Sequence, residues 1–310
     1  MSKLVDQLKY QFKSGGMYIK LIYINTIIFI AFAILSGTFK LMLWDTSQIA
    51  SFKNFFCLFS EPAQLIRHPW GLFTYMFLHH DFWHLFGNMI ILFFIGRLFE
   101  DSLGPKKMLS TYIIGGIIGG LIQLLATYLF PLLTLNGHSI TLGASASVMA
   151  IFSAIGFYSP NREIHLFGVI KIRLIVLTAI YLILDFLRLS SNDNVAHFAH
   201  IGGALWGFLM VYNLKKGKDI SSWFDRFSSK LIATFSLKNK IKIVHSKKKK
   251  NNFKTYRQTN TTPKDDYTYN QNKKKRQERV DEILDKIKDS GYESLTKAEK
   301  DFLFDASKNI

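Results

Sequence analysis

The chain has 310 residues, 49% hydrophobic and 15% aromatic, yet carries a formal net charge of +17. Residues 214–310 hold 25 Lys/Arg against 13 Asp/Glu, so 12 of the 17 net charges sit in the last third; this excludes an evenly charged soluble globule and predicts a membrane body with a basic tail. The single cysteine, Cys57, excludes an intramolecular disulfide and any CxxC metal or redox motif.

Residues 1–18 are polar, show no small-residue cleavage site, and read as a cytoplasmic N-terminal segment rather than a removed signal. Six apolar stretches follow, near 19–43, 83–98, 108–130, 145–159, 171–189 and 196–213, each with few or no charges. Crossing a hydrocarbon core of about 30 Å takes about 20 residues. Residues 19–213 are therefore expected to form a six-helix membrane domain of an all-α polytopic protein. The segment from Trp44 to Phe82 is too rich in proline and charge for a span and too apolar for a linker, so it is expected on the membrane surface.

Lys3, Lys9, Lys13 and Lys20 precede or open the first stretch; Arg97, Lys106 and Lys107 join the second and third; Arg162, Lys171 and Arg173 join the fourth and fifth. Those faces, and both termini, are expected to be cytoplasmic. The connection from fifth to sixth carries Arg188 against Asp185 and Asp193.

Residues 214–276 contain "HSKKKKNN" and "NKKKRQ" and predict a disordered linker that meets anionic lipid rather than nucleic acid. In residues 277–310, Val280, Ile283, Leu284 and Ile287 recur at helical spacing, Gly291 can end that helix, and "TKAE" (Thr296 to Glu299) offers a capping box for another. A small cytoplasmic helical pair is expected there.

The polar residues inside the apolar stretches carry the chemistry. From Ser145 to Pro160 a helix rises about 22 Å, which places Ser145 beneath the outer interface. The preceding "LNGHSITLG" must then enter as non-helical backbone, buried in protein or lining a wet cavity. Counting the same distance back from Lys215 arrives at His200, and His84 stands about 20 Å above Arg97 with Asn88 one turn deeper. Three helices thus deliver a serine, two histidines and an asparagine to one layer, where polar groups mark function. Gly203 and Gly207 below His200, and "GGIIGG" (Gly115 to Gly120), permit close helix approach, which a serine needs to reach an imidazole at about 3 Å.

These residues admit other readings. Ser147 is the rival nucleophile, but two residues on it faces away from Ser145's side; with Ser153 it reads as an interface serine. His197 and His200 could join His79 or His84 around a metal or haem, against which stands the absence of a carboxylate or cysteine in the layer. No metal or cofactor is expected. His68, His138, His165 and His245 read as ordinary surface residues.

At these residues the chain resembles the rhomboid family of intramembrane serine proteases, over roughly residues 19–213. "HLFGN" (His84 to Asn88) is similar to the family's HxxxN, "GASA" (Gly143 to Ala146) to GxSG, and "AHIGGALWG" (Ala199 to Gly207) to AHxxGxxxG. The resemblance implies a six-helix bundle in which Ser145 is the nucleophile and His200 its general base, a dyad with no required aspartate. It implies an oxyanion hole from His84, Asn88 and the Ser145 backbone N–H, with His79 ordering the first loop and Gly143, His197, Gly203 and Gly207 in support. Three features depart from the family pattern: Ala146 stands for a glycine, "PWG" (Pro69 to Gly71) stands where many members have Trp-Arg, and His197 adds a histidine one turn above the base.

The implied activity is cleavage of transmembrane segments in single-span or polytopic membrane proteins, in a bacterial inner membrane. A catalytically silent rhomboid-like protein that binds membrane clients is the alternative, opposed by the presence of both Ser145 and His200. A transporter is opposed by the lack of a repeat between halves and of an intramembrane carboxylate along a path.

Overall fold

A computed structural model describes residues 2–135, 137, 139–166, 168–190, 195–236 and 266–307. His138, His245 and residues 237–265 of the basic linker fall outside them. The chain divides into two compact units, 1–240 and 241–310.

In the first unit a short helix, α1 (Ser2–Ser14), precedes α2 (Met17–Leu41). The first turn of α2 has N–H groups with no helical partner. The Glu100 carboxylate accepts two of them, from Met17 at 2.9 Å and Tyr18 at 3.0 Å. The next segment folds into α3 (Ser47–Asn54), β1 (Leu58–Phe59), α4 (Pro62–Arg67), α5 (Gly71–Thr74) and a 3-10 turn, Tyr75–Phe77. It opens on exposed Leu43 and Trp44 and exposes Ile66 and Trp70.

The second and third apolar stretches form one element, α6 (Phe82–Leu129), divided at an elbow. Gly104 there has φ 84° and ψ 165°, a conformation that suits glycine alone. Pro105 follows, and its fixed φ and missing N–H suit a helix start. The connection expected between two spans is thus a single glycine, because glycine can end one helix and proline begin the next without intervening chain. Asp81 starts α6 by accepting the His84 N–H at 2.9 Å.

Then come β2 (Ile140–Thr141), α7 (Ser145–Tyr158), β3 (Glu163–Leu166), β4 (Ile170–Arg173), α8 (Leu174–Leu187), α9 (His197–Lys215) and α10 (Ser222–Ser236). β1 pairs antiparallel with β2 (Leu58 opposite Thr141), and β3 with β4 (Ile164 opposite Ile172). The fifth apolar stretch, expected to be helical from 171, starts as β4. Its alternating "IKIR" suits a strand, and the helix begins only at Leu174.

Among the described residues, α2 and α6 are long and apolar enough to cross a membrane; α7 and α8, with 14 residues each, are shorter apolar helices. Every residue of α7 from Ala146 to Gly156 is buried, as befits a helix apolar on all sides. It is the central rod, packed against α6, α8 and α9.

In the second unit, α11 (Asp266–Ser290) ends at Gly291, whose φ is 76°, and α12 (Lys297–Ser307) follows a 3-10 turn. The capping box at Thr296 forms: Glu299 accepts the Thr296 N–H at 2.7 Å, and Thr296 Oγ1 accepts the Glu299 N–H at 3.4 Å. Ile283 and Leu295 are buried, and Lys286 ties α11 to Glu299 at 2.9 Å. Helix α11 starts before the 277 boundary read from apolar periodicity, since the polar run after Pro263 holds no further breaker.

Candidate functional site

The site is assembled by backbone contact. A Cβ on Gly203 would collide with the Ala146 carbonyl, and one on Gly207 with that of Ala150. Helices α7 and α9 therefore touch main chain to main chain, as small residues allow. A Cβ on Gly119 would stand 2.6 Å from both the Ala146 Cβ and the Ala199 oxygen. Three helices meet at that level. Ser145 is the residue before Ala146 and His200 the residue after Ala199, so both lie at the level of the seam. The Ala146 methyl, the departure from the family glycine, stands against Gly119.

The non-helical approach to Ser145 is held in protein. Ser60 N–H donates to the Ser139 carbonyl at 3.1 Å, Ser139 N–H donates to Ser60 Oγ at 2.8 Å, and the β1–β2 pair continues the attachment. Gly143 N–H then donates to the Tyr75 carbonyl at 3.0 Å. Gly143 has φ 133°, disfavoured for any residue with a side chain. A Cβ there would lie 2.8 Å from His84 Nε2 and 3.7 Å from Ser145 Oγ. Glycine is thus required twice over, and the His84 ring and the Ser145 hydroxyl flank the same backbone atom.

Ser145 opens α7. The first helical hydrogen bond there runs from Val148 N–H to the Ala144 carbonyl at 2.9 Å, so the earlier N–H groups have no intrahelical acceptor and lie at the positive end of the helix. Ser145 is half-buried, whereas Ser147 and Ser153 are sealed at 0% exposure. Ser147 Oγ contacts Met76 Sδ at 3.7 Å and faces Gly116, while Ser153 Oγ donates to the Ala204 carbonyl at 2.8 Å. Both serines are occupied in packing.

Asn88 is buried and donates its side-chain amide to the His84 carbonyl at 2.8 Å. His79 lies just outside α6 with its ring edge-on to His84 at 5.2 Å, and Lys53 Nζ donates to its carbonyl at 2.7 Å. Burial, with the His84 ring adding to it, pushes the His79 pKa down to about 3. His68 is not a bare surface residue: it sits in an aromatic cluster with Phe55, Phe59 and Trp70. His165 is exposed on β3.

One expectation is overturned. Asp185, counted as part of the connection between the fifth and sixth stretches, lies inside the last turn of α8 and is 6% exposed. Its Oδ1 stands 2.6 Å from His197 Nδ1 and 3.0 Å from His200 Nδ1. A carboxylate does share the layer, so the premise that stands against metal ligation does not hold. The signal was present in the sequence. "YLILDFL" places an ionisable group in an apolar helix, where it faces the bundle interior.

A family model described as the rhomboid domain matches residues 67–217, and one for a family of unknown function, DUF6576, matches residues 265–309. "Rhomboid-like protease 3" of Toxoplasma gondii is 27% identical over 211 residues, 64% of this chain and 69% of that protein. "RHOMBOID-like protein 12, mitochondrial" of Arabidopsis thaliana is 28% identical over 157 residues, 47% of each chain. "Putative rhomboid protease YdcA" of Bacillus subtilis (strain 168) is 29% identical over 144 residues, 46% of this chain and 66% of that protein. The chain spans about half the length of the Arabidopsis relative. Over residues 67–217 the chain is thus similar to the rhomboid domain, and the matched relatives include proteins named as rhomboid proteases.

Proposed function

We propose that this chain is an intramembrane serine endopeptidase with Ser145 as nucleophile and His200 as general base. The observation that supports the reading is the α7–α9 seam, where a Cβ on Gly203 would meet the Ala146 carbonyl, with half-buried Ser145 one residue before Ala146 and buried His200 one turn before Gly203. In the reaction Ser145 Oγ attacks the peptide carbonyl carbon while its proton passes to His200 Nε2. The resulting imidazolium returns that proton to the leaving amine, and water hydrolyses the acyl-enzyme by the same route reversed. The Ser145 N–H, at the positive end of α7, and the His84 side chain receive the oxyanion, with Asn88 adding its second amide hydrogen. One such donor is worth about 10² to 10³ in turnover.

Helix α7 rises about 21 Å from its 14 residues. With six spans, counting the two arms of α6 separately, Ser145 is recessed below the outer surface of a cell membrane and both termini are cytoplasmic. The class of substrate is a transmembrane segment able to unwind there, because an intact helix hides its carbonyls. The basic tail meets anionic lipid.

The test is cleavage of a single-span substrate in liposomes by wild type, Ser145→Ala and Ser147→Ala. Ser145→Ala is expected to be inactive and Ser147→Ala active; the reverse pattern would refute the assignment.

A further inference from the structure

Buried carboxylates are costly unless their charge is answered. Asp185 is answered through one oxygen by two imidazoles one turn apart on α9, while its Oδ2, also buried, has no hydrogen-bond partner among the described residues. An ionised carboxylate has no proton to give. Each Nδ1 must therefore be the donor. In the neutral His200 ring that leaves Nε2 as the lone pair, the atom the proposed reaction requires opposite Ser145.

A metal ion fits these distances less well. Two donors held at about 2.0 Å by one tetrahedral ion stand about 3.3 Å apart, whereas Asp185 Oδ1 and His197 Nδ1 are 2.6 Å apart, the spacing of a shared proton. The ring faces of the cluster are also set by packing: His197 and His200 are 6.0 Å apart and nearly perpendicular.

We propose that Asp185 is a positioning residue for His200: it fixes the tautomer and direction of the ring, and His197 is the second strut that holds the carboxylate in place. The inference rests on the Ser145–His200 reading. During acylation the Ser145 proton moves to His200 Nε2 as the Oγ–carbon bond forms, and Asp185 stays ionised throughout, stabilising the imidazolium. The carboxylate touches neither substrate nor the serine.

The experiment compares wild type, Asp185→Asn, Asp185→Glu and Ser145→Ala as full chains in liposomes. Asparagine can turn its NH2 toward Nδ1 and favour the wrong tautomer. Asp185→Asn is expected to lower kcat about 100-fold or more, to leave KM within about threefold, and to slow fluorophosphonate labelling of Ser145 in step. Asp185→Glu is expected to recover part of kcat. If Asp185→Asn does not fold, Asp185→Ser carries the same expectation, read per folded molecule. Wild-type kcat in folded Asp185→Asn or Asp185→Ser, with Ser145→Ala inactive, overturns the positioning role alone. Activity in Ser145→Ala overturns the reading beneath it.

Discussion

The elbow of α6 and the layer of Ser145 meet the same problem, a carboxylate drawn out of water, and answer it differently. Near the elbow Lys107 Nζ reaches Asp219, Asp225 at 2.5 Å and Ser221 at 2.9 Å, so a permanent cation answers two carboxylates. At the level of Ser145, Asp185 is answered by two histidines, whose rings keep a second nitrogen able to accept and return a proton. Fixed charge against fixed charge builds a latch that can only hold. A carboxylate against imidazoles builds a support that can also follow a proton through a reaction. The first arrangement is structural and the second suits chemistry.

The comparison breaks hardest at the seam that serves the second arrangement. Gly203→Ala adds one methyl where the Ala146 carbonyl already stands, so α7 and α9 must part. We expect a stability loss of about 3 kcal/mol and loss of cleavage even in the folded fraction. Gly37→Ala, on α2 with open space around it, is the control and should be neutral or slightly stabilising. Equal thermal midpoints for the two variants in detergent would show that backbone contact is not what holds the seam.

Lys107→Met sharpens the contrast from the elbow. It strands Asp219 and Asp225 side by side, and because Asp219 is about a third exposed the loss is set at about 2 kcal/mol rather than the value for a fully buried pair. Thermal denaturation should show the drop, while kcat per folded molecule stays at the wild-type level. A fall in kcat would mean that the two regions are coupled.

The apolar runs and the glycine spacings made the helices and their close seam legible from sequence, since both are local patterns with one physical meaning. "GASA" beside "AHIGG" could be read the same way, because a glycine before a membrane serine and a GxxxG below a histidine each have a steric reason. What escaped was Asp185. Its partners lie 12 and 15 residues onward in the chain, beyond the i+4 reach of one helix, and only the fold back from α8 into α9 brings them together. The elbow at Gly104 escaped for a related cause: a Gly-Pro pair states that one helix stops and another starts, and says nothing of how little chain lies between.

His79 gives the smallest of these effects and the most direct comparison with the Asp185 cluster, because its ring is buried beside another histidine, and burial is the main cause of its depressed pKa. With its pKa down at about 3 in the folded protein and about 6.5 unfolded, the unfolded chain binds more protons between those values. Stability contributed by the neutral ring is thus complete above about pH 6.5 and declines as pH falls toward 3. By pH 5.5 the loss from this one ring is roughly 1 kcal/mol. Comparing thermal midpoints of wild type and His79→Gln from pH 8 to 5 isolates the share of His79 from that of the other histidines. The glutamine variant should start lower and fall less steeply; parallel curves would mean that His79 is protonated in place, with a counter-charge to hold it.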